Sequence, residues 1–345
     1  MPFQNPQYRL ETIDTKMPDA RKHSDSWTFL HANDSHMGTA RSYRFRPAIN
    51  RRWAAIRQQM ASIDAEFLLH GGDLTRDGET HEFEYQQARD DLNELPFPTF
   101  VIPGNMDVGN KHACENGAKP KWEERGWAWN DPDWNMTESR LRLFASYFGP
   151  VHWTFLWRGV RFTGFFAAVA GSGLPHETRF WRLLERLPHL TPARHHVAMM
   201  HYWPFMEQPD EPAWDLTKAD EYDNWYFSID EPHRRRLWQL LRAARVDMLF
   251  CGHVHTGRPV QIVDGIRIYR TAAGGNTPQL AERWPDGETR FGFHRCDVTS
   301  TGIDVTFVVG DEQCEEFDSY GPWGHPRIDE RDYTAAGELP PLEPS

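Results

Sequence analysis

The sequence predicts an α/β fold organised around a mixed β-sheet. Three observations point to it. Short apolar runs alternate with longer stretches of helical apolar spacing over most of the chain. Towards the C-terminal end, two apolar runs follow one another with no helix between them, so antiparallel pairing has to join the parallel kind. Several runs end directly in Asp, His or Asn, and the carboxyl ends of strands are where an open α/β sheet binds its ligands.

In chain order, Trp27 to Ala32 is a short apolar run passing into polar residues and reads as a buried strand. Pro47 to Ile63 carries Trp53, Ile56, Met60 and Ile63 near helical spacing. Phe67 to His70 is the next strand, Thr80 to Leu95 a helix, and Thr99 to Ile102 a strand stopped by Pro103 and Gly104. Helices are expected at Thr137 to Tyr147, Glu177 to Leu187 and Glu231 to Ala244. Strands are expected at Val160 to Ala167, Val197 to His201, Met248 to Cys251, Val260 to Val263 and Ile266 to Tyr269. The late antiparallel pair is Arg290 to Cys296 with Ile303 to Val309.

This gives one domain over 26–310, preceded by an arm of mixed charge (1–25) and followed by an acidic tail rich in Pro and Gly (311–345). Two polar, Trp-rich inserts break the rhythm near 109–135 and 203–228; loops of that length in a compact domain are usually functional or disordered.

Composition narrows the class. With 39% hydrophobic and 26% charged residues the chain is an ordinary globular protein, and its net charge of −12 argues against non-specific binding along nucleic acid. A phosphate substrate stays open, because bound cations reverse the local sign at a site. The N-terminal residues lack a signal-peptide apolar core and no run is long enough to span a bilayer, so the expected location is the cytoplasm, with no membrane partner. Cys114, Cys251, Cys296 and Cys314 show no two-residue spacing and are expected as reduced thiols.

The chemistry-bearing residues come in five groups, each after an apolar run: Asp34-Ser35-His36, Gly72-Asp73, Gly104-Asn105-Met106-Asp107, His201, and Gly252-His253-Val254-His255. Alone, each has a plain explanation as a turn or a core histidine. Jointly, at successive strand ends, they offer seven O and N ligands (Asp34, His36, Asp73, Asn105, His201, His253 and His255), enough for two metals that share one carboxylate. Such a donor set suits Mn, Fe or Zn.

These residues resemble the signature of the calcineurin-like metallophosphoesterases, D-x-H, G-D, G-N-H-D/E, H and G-H-x-H, over about Trp27 to Gly275. The stretch GDLTRDGETHEFE is similar to the cyclic-nucleotide and glycerophosphodiester phosphodiesterase branch. The resemblance implies a four-layer α/β/β/α sandwich of two mixed sheets flanked by helices. It implies a first metal on Asp34, His36 and His255, a second on Asn105, His201 and His253, and Asp73 bridging them. The implied reaction is hydrolysis of a small-molecule phosphate ester, a phosphodiester by preference, through a metal-bridging hydroxide. Asp73, Asn105 and Asp107 are the implied catalytic residues. No Gly-x-Ser-x-Gly elbow or P-loop offers a rival chemistry.

One position departs from the pattern. Met106 stands where the family has the histidine credited with protonating the leaving group, and a thioether donates no proton. His112, His31 and His70 are the nearby candidates to replace it. Asn105, His112 and Trp203 are the expected substrate contacts, and Trp214, Trp225, Tyr226 and Phe227 of the second insert either cover an apolar substrate group or pack the insert onto the body. Two other readings remain at this point: a phosphomonoesterase or protein phosphatase, and a phosphoesterase-fold binding module without turnover.

Overall fold

The central strands are apolar on both faces because each sheet packs on its partner through one face and beneath helices through the other. The computed structural model describes residues 26–39, 42, 46–112, 135–216 and 218–312. The expected arm (1–25), the tail from residue 313, and the part of the first insert holding Trp122, Trp127, Trp129 and Trp134 lie outside the described residues.

The elements are β1 (Trp27–Ala32), α1 (Pro47–Ala61), β2 (Leu68–His70), α2 (Glu82–Asn93), β3 (Thr99–Val101), α3 (Asn105–Val108), α4 (Glu138–Phe148), β4 (Trp153–Trp157), β5 (Val160–Gly164), α5 (Pro175–Arg186), β6 (His195–Met200), α6 (Ala219–Phe227), α7 (His233–Ala243), β7 (Met248–Cys251), β8 (Gln261–Val263), β9 (Ile266–Arg270), β10 (Gly292–Val298) and β11 (Ile303–Val309). They form a five-stranded sheet in the order β11-β10-β1-β2-β3 and a six-stranded sheet in the order β4-β5-β6-β7-β9-β8. Both are mixed. In the first, β1, β2 and β3 run parallel and β10 and β11 add antiparallel strands. In the second, β5, β6, β7 and β9 run parallel between antiparallel edges β4 and β8.

Period-2 alternation explains the layers. Phe29, Phe67 and Phe100 of the first sheet meet Phe155, Phe162 and Phe250 of the second. The rings of Phe29 and Phe162 pack edge-on at 5.1 Å, and those of Phe100 and Phe155 lie 4.4 Å apart. Burying such a ring contributes about 1.5–3 kcal/mol, so this aromatic layer sets the spacing of the sheets. The residues between them in sequence, Leu30, Ala32, Leu68, Ala198, Met200 and Leu249, point outwards and join one cluster with helix residues Trp53, Ile56, Tyr85, Phe180 and Trp238. The result is the expected sandwich of two mixed sheets flanked by helices.

Three features depart from expectation. β4 forms a hairpin with β5 through Arg158 and Gly159, both at positive φ (47° and 80°), the requirement of a two-residue type I′ turn. The second insert is not all loop, since it contains α6. The strand expected over Val160 to Ala167 stops at Gly164 and turns into a short 3₁₀ segment, Ala167–Val169. Among the described residues, no helix is long and apolar enough to cross a membrane.

Candidate metal centre

The loops leaving β1, β2, β3, β6 and β7 carry all seven candidate ligands, so both sheets feed one end of the sandwich. The backbone there is contorted to aim them. Asp34, His36, Asp73, His253 and His255 all adopt positive φ, between 45° and 73°. L-residues pay for that conformation, and such strain concentrates at functional sites. Two glycines permit the close approach. Gly72 has φ 99°, and a Cβ on it would stand 2.7 Å from the Gly104 nitrogen; a Cβ on Gly104 would overlap Asp73 Oδ1 at 2.0 Å.

Two groups of buried side chains offer ligand atoms mutually within 4.8 Å: Asp34, His36, Asp73 and His255, and Asp73, His201 and His253. Asp73 belongs to both. Its Oδ2 lies 3.4 Å from His36 Nε2 and 3.3 Å from His201 Nε2. Asp34 Oδ1 is 3.5 Å from His255 Nε2 and 3.8 Å from His36 Nε2.

Hydrogen bonds decide which atom of each side chain faces the crevice. His201 Nδ1 donates to the Gly71 carbonyl at 3.0 Å and His255 Nδ1 to the Thr277 carbonyl at 2.8 Å, so both present Nε2. His253 is reversed: its Nε2 donates to the Tyr226 carbonyl at 3.2 Å, leaving Nδ1. A carbonyl only accepts, which fixes these tautomers. Asn33 Nδ2 and the His253 backbone N–H (3.0 Å) both donate to Asp34 Oδ2. Asn105 Nδ2 donates to Asn110 Oδ1 at 3.1 Å and Tyr226 Oη at 3.2 Å.

The residues fit a pair of cations. Asn105 Oδ1 is buried without a hydrogen-bond partner, a costly state that a metal would relieve. Burial opposes the charge on Asp73, yet His201 and His36 hold its pKa down to about 2. Asp34 likewise stays well below the usual carboxylate range despite burial, through His255 first. Burial also opposes the charge on His201, but Asp73 and Asp34 push it up to about 9. The crevice is thus built for positive charge, and a cation competes with the proton for the same lone pair. Burial lowers His36 to about 4 and carries His253 well below its ordinary value, which keeps both neutral and able to ligate.

The remaining expected site residues fall elsewhere. Asp107 does not face the crevice; it accepts backbone N–H groups of Leu74, Thr75 and Gly104. His112 Nε2 bonds the Met136 carbonyl at 2.8 Å. His31 is stacked on Phe250 between the sheets, and His70 bonds Ser35 Oγ against Trp53; both are wholly buried, so neither reaches a leaving group. Trp203, expected against substrate, has 0% exposure and is packed between Arg270 and the tilted ring of Trp284. Sequence reasoning missed the groups that orient the ligands. The carbonyls of Gly71, Thr277 and Tyr226 have no side-chain signature, and Lys111, which holds the end of α6, carried no motif.

The profile of the calcineurin-like phosphoesterase family matches residues 28–257, more than half of the chain. The chain belongs to the calcineurin-like phosphoesterase family. That family is one of metal-dependent phosphoric ester hydrolases. No curated protein matches the sequence. Among solved structures, a purple acid phosphatase, PPD1, from yellow lupin (Lupinus luteus) seeds is similar with a TM-score of 0.53 at 15% identity, over 85% of this chain and 53% of that one. A structure described as PhoD has a TM-score of 0.50 at 12% identity, over 85% of this chain and 70% of that one. At these identities the likeness is one of fold, and the chain spans about half the length of the lupin protein.

Proposed function

We propose that this chain is a dinuclear metal-dependent phosphoesterase that hydrolyses a small-molecule phosphate ester, with phosphodiesters preferred. The observation that carries the reading is Asp73 Oδ2, placed 3.4 Å from His36 Nε2 on one side and 3.3 Å from His201 Nε2 on the other, as a shared ligand requires. Asp34, His36, His255 and Asp73 would hold one divalent cation; Asp73, Asn105, His201 and His253 would hold the second. Mn, Fe and Zn suit these donors. Bound there, the cations lower the pKa of water and neutralise charge on the phosphoryl group.

The chain's own part is orientation. Gly71, Thr277 and Tyr226 fix the imidazoles through carbonyls, and Asn33 fixes Asp34. Such partners typically account for 10–100-fold in metal affinity. Burial of all seven ligands lowers the local dielectric and strengthens each electrostatic contact. The diester preference rests on the GDLTRDGETHEFE context. A cytoplasmic setting is part of the proposal and agrees with Cys251 and Cys296, which are buried free thiols.

The test is metal analysis of the purified protein followed by a substrate panel. Chelation should abolish hydrolysis of bis(p-nitrophenyl) phosphate and Mn should restore it. Faster turnover of p-nitrophenyl phosphate would favour a phosphomonoesterase or protein phosphatase. A metal-loaded protein inert towards every ester would leave a binding module, the reading that Met106 keeps open.

A further inference from the structure

We propose that Tyr226 is a positioning residue for the second cation, and that the end of α6 is the clamp that holds it in place. The inference rests on the dinuclear reading above.

Tyr226 touches two candidate ligands of the same cation through two different groups. Its hydroxyl accepts from Asn105 Nδ2 at 3.2 Å, and its backbone carbonyl accepts from His253 Nε2 at 3.2 Å. A carboxamide can present either end, since its oxygen and nitrogen are nearly the same size. The Met106 thioether, 3.4 Å from the nitrogen, only accepts, and Tyr226 Oη and Asn110 Oδ1 accept beside it, which leaves Oδ1 as the presented atom. The carbonyl settles the matching choice in His253. The Tyr226 and His253 rings also pack at 5.1 Å.

The clamp is tied to both loops it serves. Tyr226 lies in the last turn of α6, whose carbonyls have no partners within the helix. Lys111 Nζ donates to the carbonyls of Trp225 and Ser228, and lies 4.3 Å from the Trp225 ring centroid. A cation at a helix C-terminus also gains from the helix dipole. Lys111 sits six residues after Asn105, so it binds α6 to the loop of that ligand. On the other side, the Trp203 N–H donates to the Phe227 carbonyl at 3.1 Å and the Ile229 N–H to the Trp203 carbonyl at 3.0 Å. Those bonds tie the same segment to the loop that carries His201. The second insert thus has a role at the metal centre that its aromatic composition did not indicate.

The experiment is equilibrium dialysis of the metal-free, full-length protein against Zn²⁺, with bound metal counted by elemental analysis and melting temperature recorded for each variant. Wild type should take up two equivalents. Tyr226→Phe keeps the ring and the carbonyl but loses the hydroxyl; it should bind the first equivalent as wild type does and the second about 10-fold more weakly. Lys111→Met should weaken the second equivalent in the same way with Tyr226 intact, and it carries the test if Tyr226→Phe does not fold. Tyr222→Phe, on the same helix, should leave both equivalents unchanged. Wild-type uptake by both Tyr226→Phe and Lys111→Met would overturn the inference, as would an equal loss in Tyr222→Phe, which would mark general loosening of the insert. A wild-type protein without a second equivalent would remove the dinuclear reading and this inference with it, whereas failure confined to the variants removes the inference alone.

Discussion

Asp107 Oδ1 accepts both the backbone N–H of Thr75, at 2.9 Å, and the Thr75 hydroxyl, at 2.7 Å. Its Oδ2 accepts the N–H groups of Leu74, at 3.2 Å, and Gly104, at 2.8 Å. One buried carboxylate therefore ties the loop of Asp73 to the loop of Asn105. In Asp107→Asn one of those oxygens becomes an NH₂ facing N–H donors. The expected cost is about 1–3 kcal/mol of stability, with weaker uptake of both metals because both loops shift. Urea denaturation and metal analysis check this. A variant with wild-type stability and metal content that has lost only turnover would instead put Asp107 in the chemistry.

A second prediction concerns Met106, whose N–H donates to Asp73 Oδ1 at 2.8 Å and whose thioether lies 3.4 Å from Asn105 Nδ2. No proton donor stands at this position, so turnover should fall steeply as the leaving group becomes more basic. Met106→His should recover part of the general-acid contribution of about 10²–10⁴-fold. The gain should sit near the lower end, because Asp107 is committed to backbone donors and cannot orient the new imidazole. Alkyl esters should benefit and p-nitrophenyl esters should not. An equal effect on both would place the leaving-group proton elsewhere.

How much of this was legible from sequence follows from where the signals lie. β8 and β9 are readable because Asp264-Gly265 separates two apolar runs, and the structure gives those residues φ of 50° and 85°. β4 is not, because Trp153–Trp157 shows no strong polar alternation and its turn starts with Arg158, a residue type that rarely accepts positive φ. α6 escapes because its acidic and aromatic side chains lack a clear apolar stripe. The candidate ligands are legible as a set, since each follows an apolar run. The direction of each lone pair is not, because it depends on carbonyls such as those of Gly71 and Thr277.

Acid should destabilise the fold through histidines remote from the metal centre. Burial lowers His152 to about 3 and His196 and His294 to about 4. Unfolded, each imidazole takes up a proton near 6.5; folded, it stays neutral until those lower values. Within that window the unfolded chain binds more protons, so stability falls as pH falls, by about 1.4 kcal/mol per histidine per pH unit. Urea midpoints should drop between about pH 7 and pH 5. His294→Phe, which replaces a ring packed against Phe250 and Phe307, should flatten part of that slope. Equal midpoints across the range would contradict the prediction.

Trp203 should matter for stability rather than for substrate. Its ring lies 4.7 Å from the Arg270 guanidinium carbon and 5.0 Å from the ring of Trp284, which in turn is covered by Arg258 at 4.9 Å. Buried cation–π contacts of this kind contribute roughly 0.5–2 kcal/mol each. Trp203→Ala opens a cavity in the stack and should cost about 3–5 kcal/mol. Trp203→Phe is the more informative variant, because it keeps an aromatic ring against Arg270 and Trp284 and so opens a smaller cavity next to the segment that anchors α6. It should lower the melting temperature while KM stays within about twofold of wild type, since a ring with no exposed surface contributes nothing to ground-state binding. A raised KM at unchanged melting temperature would return Trp203 to the substrate surface and require the insert to open during turnover.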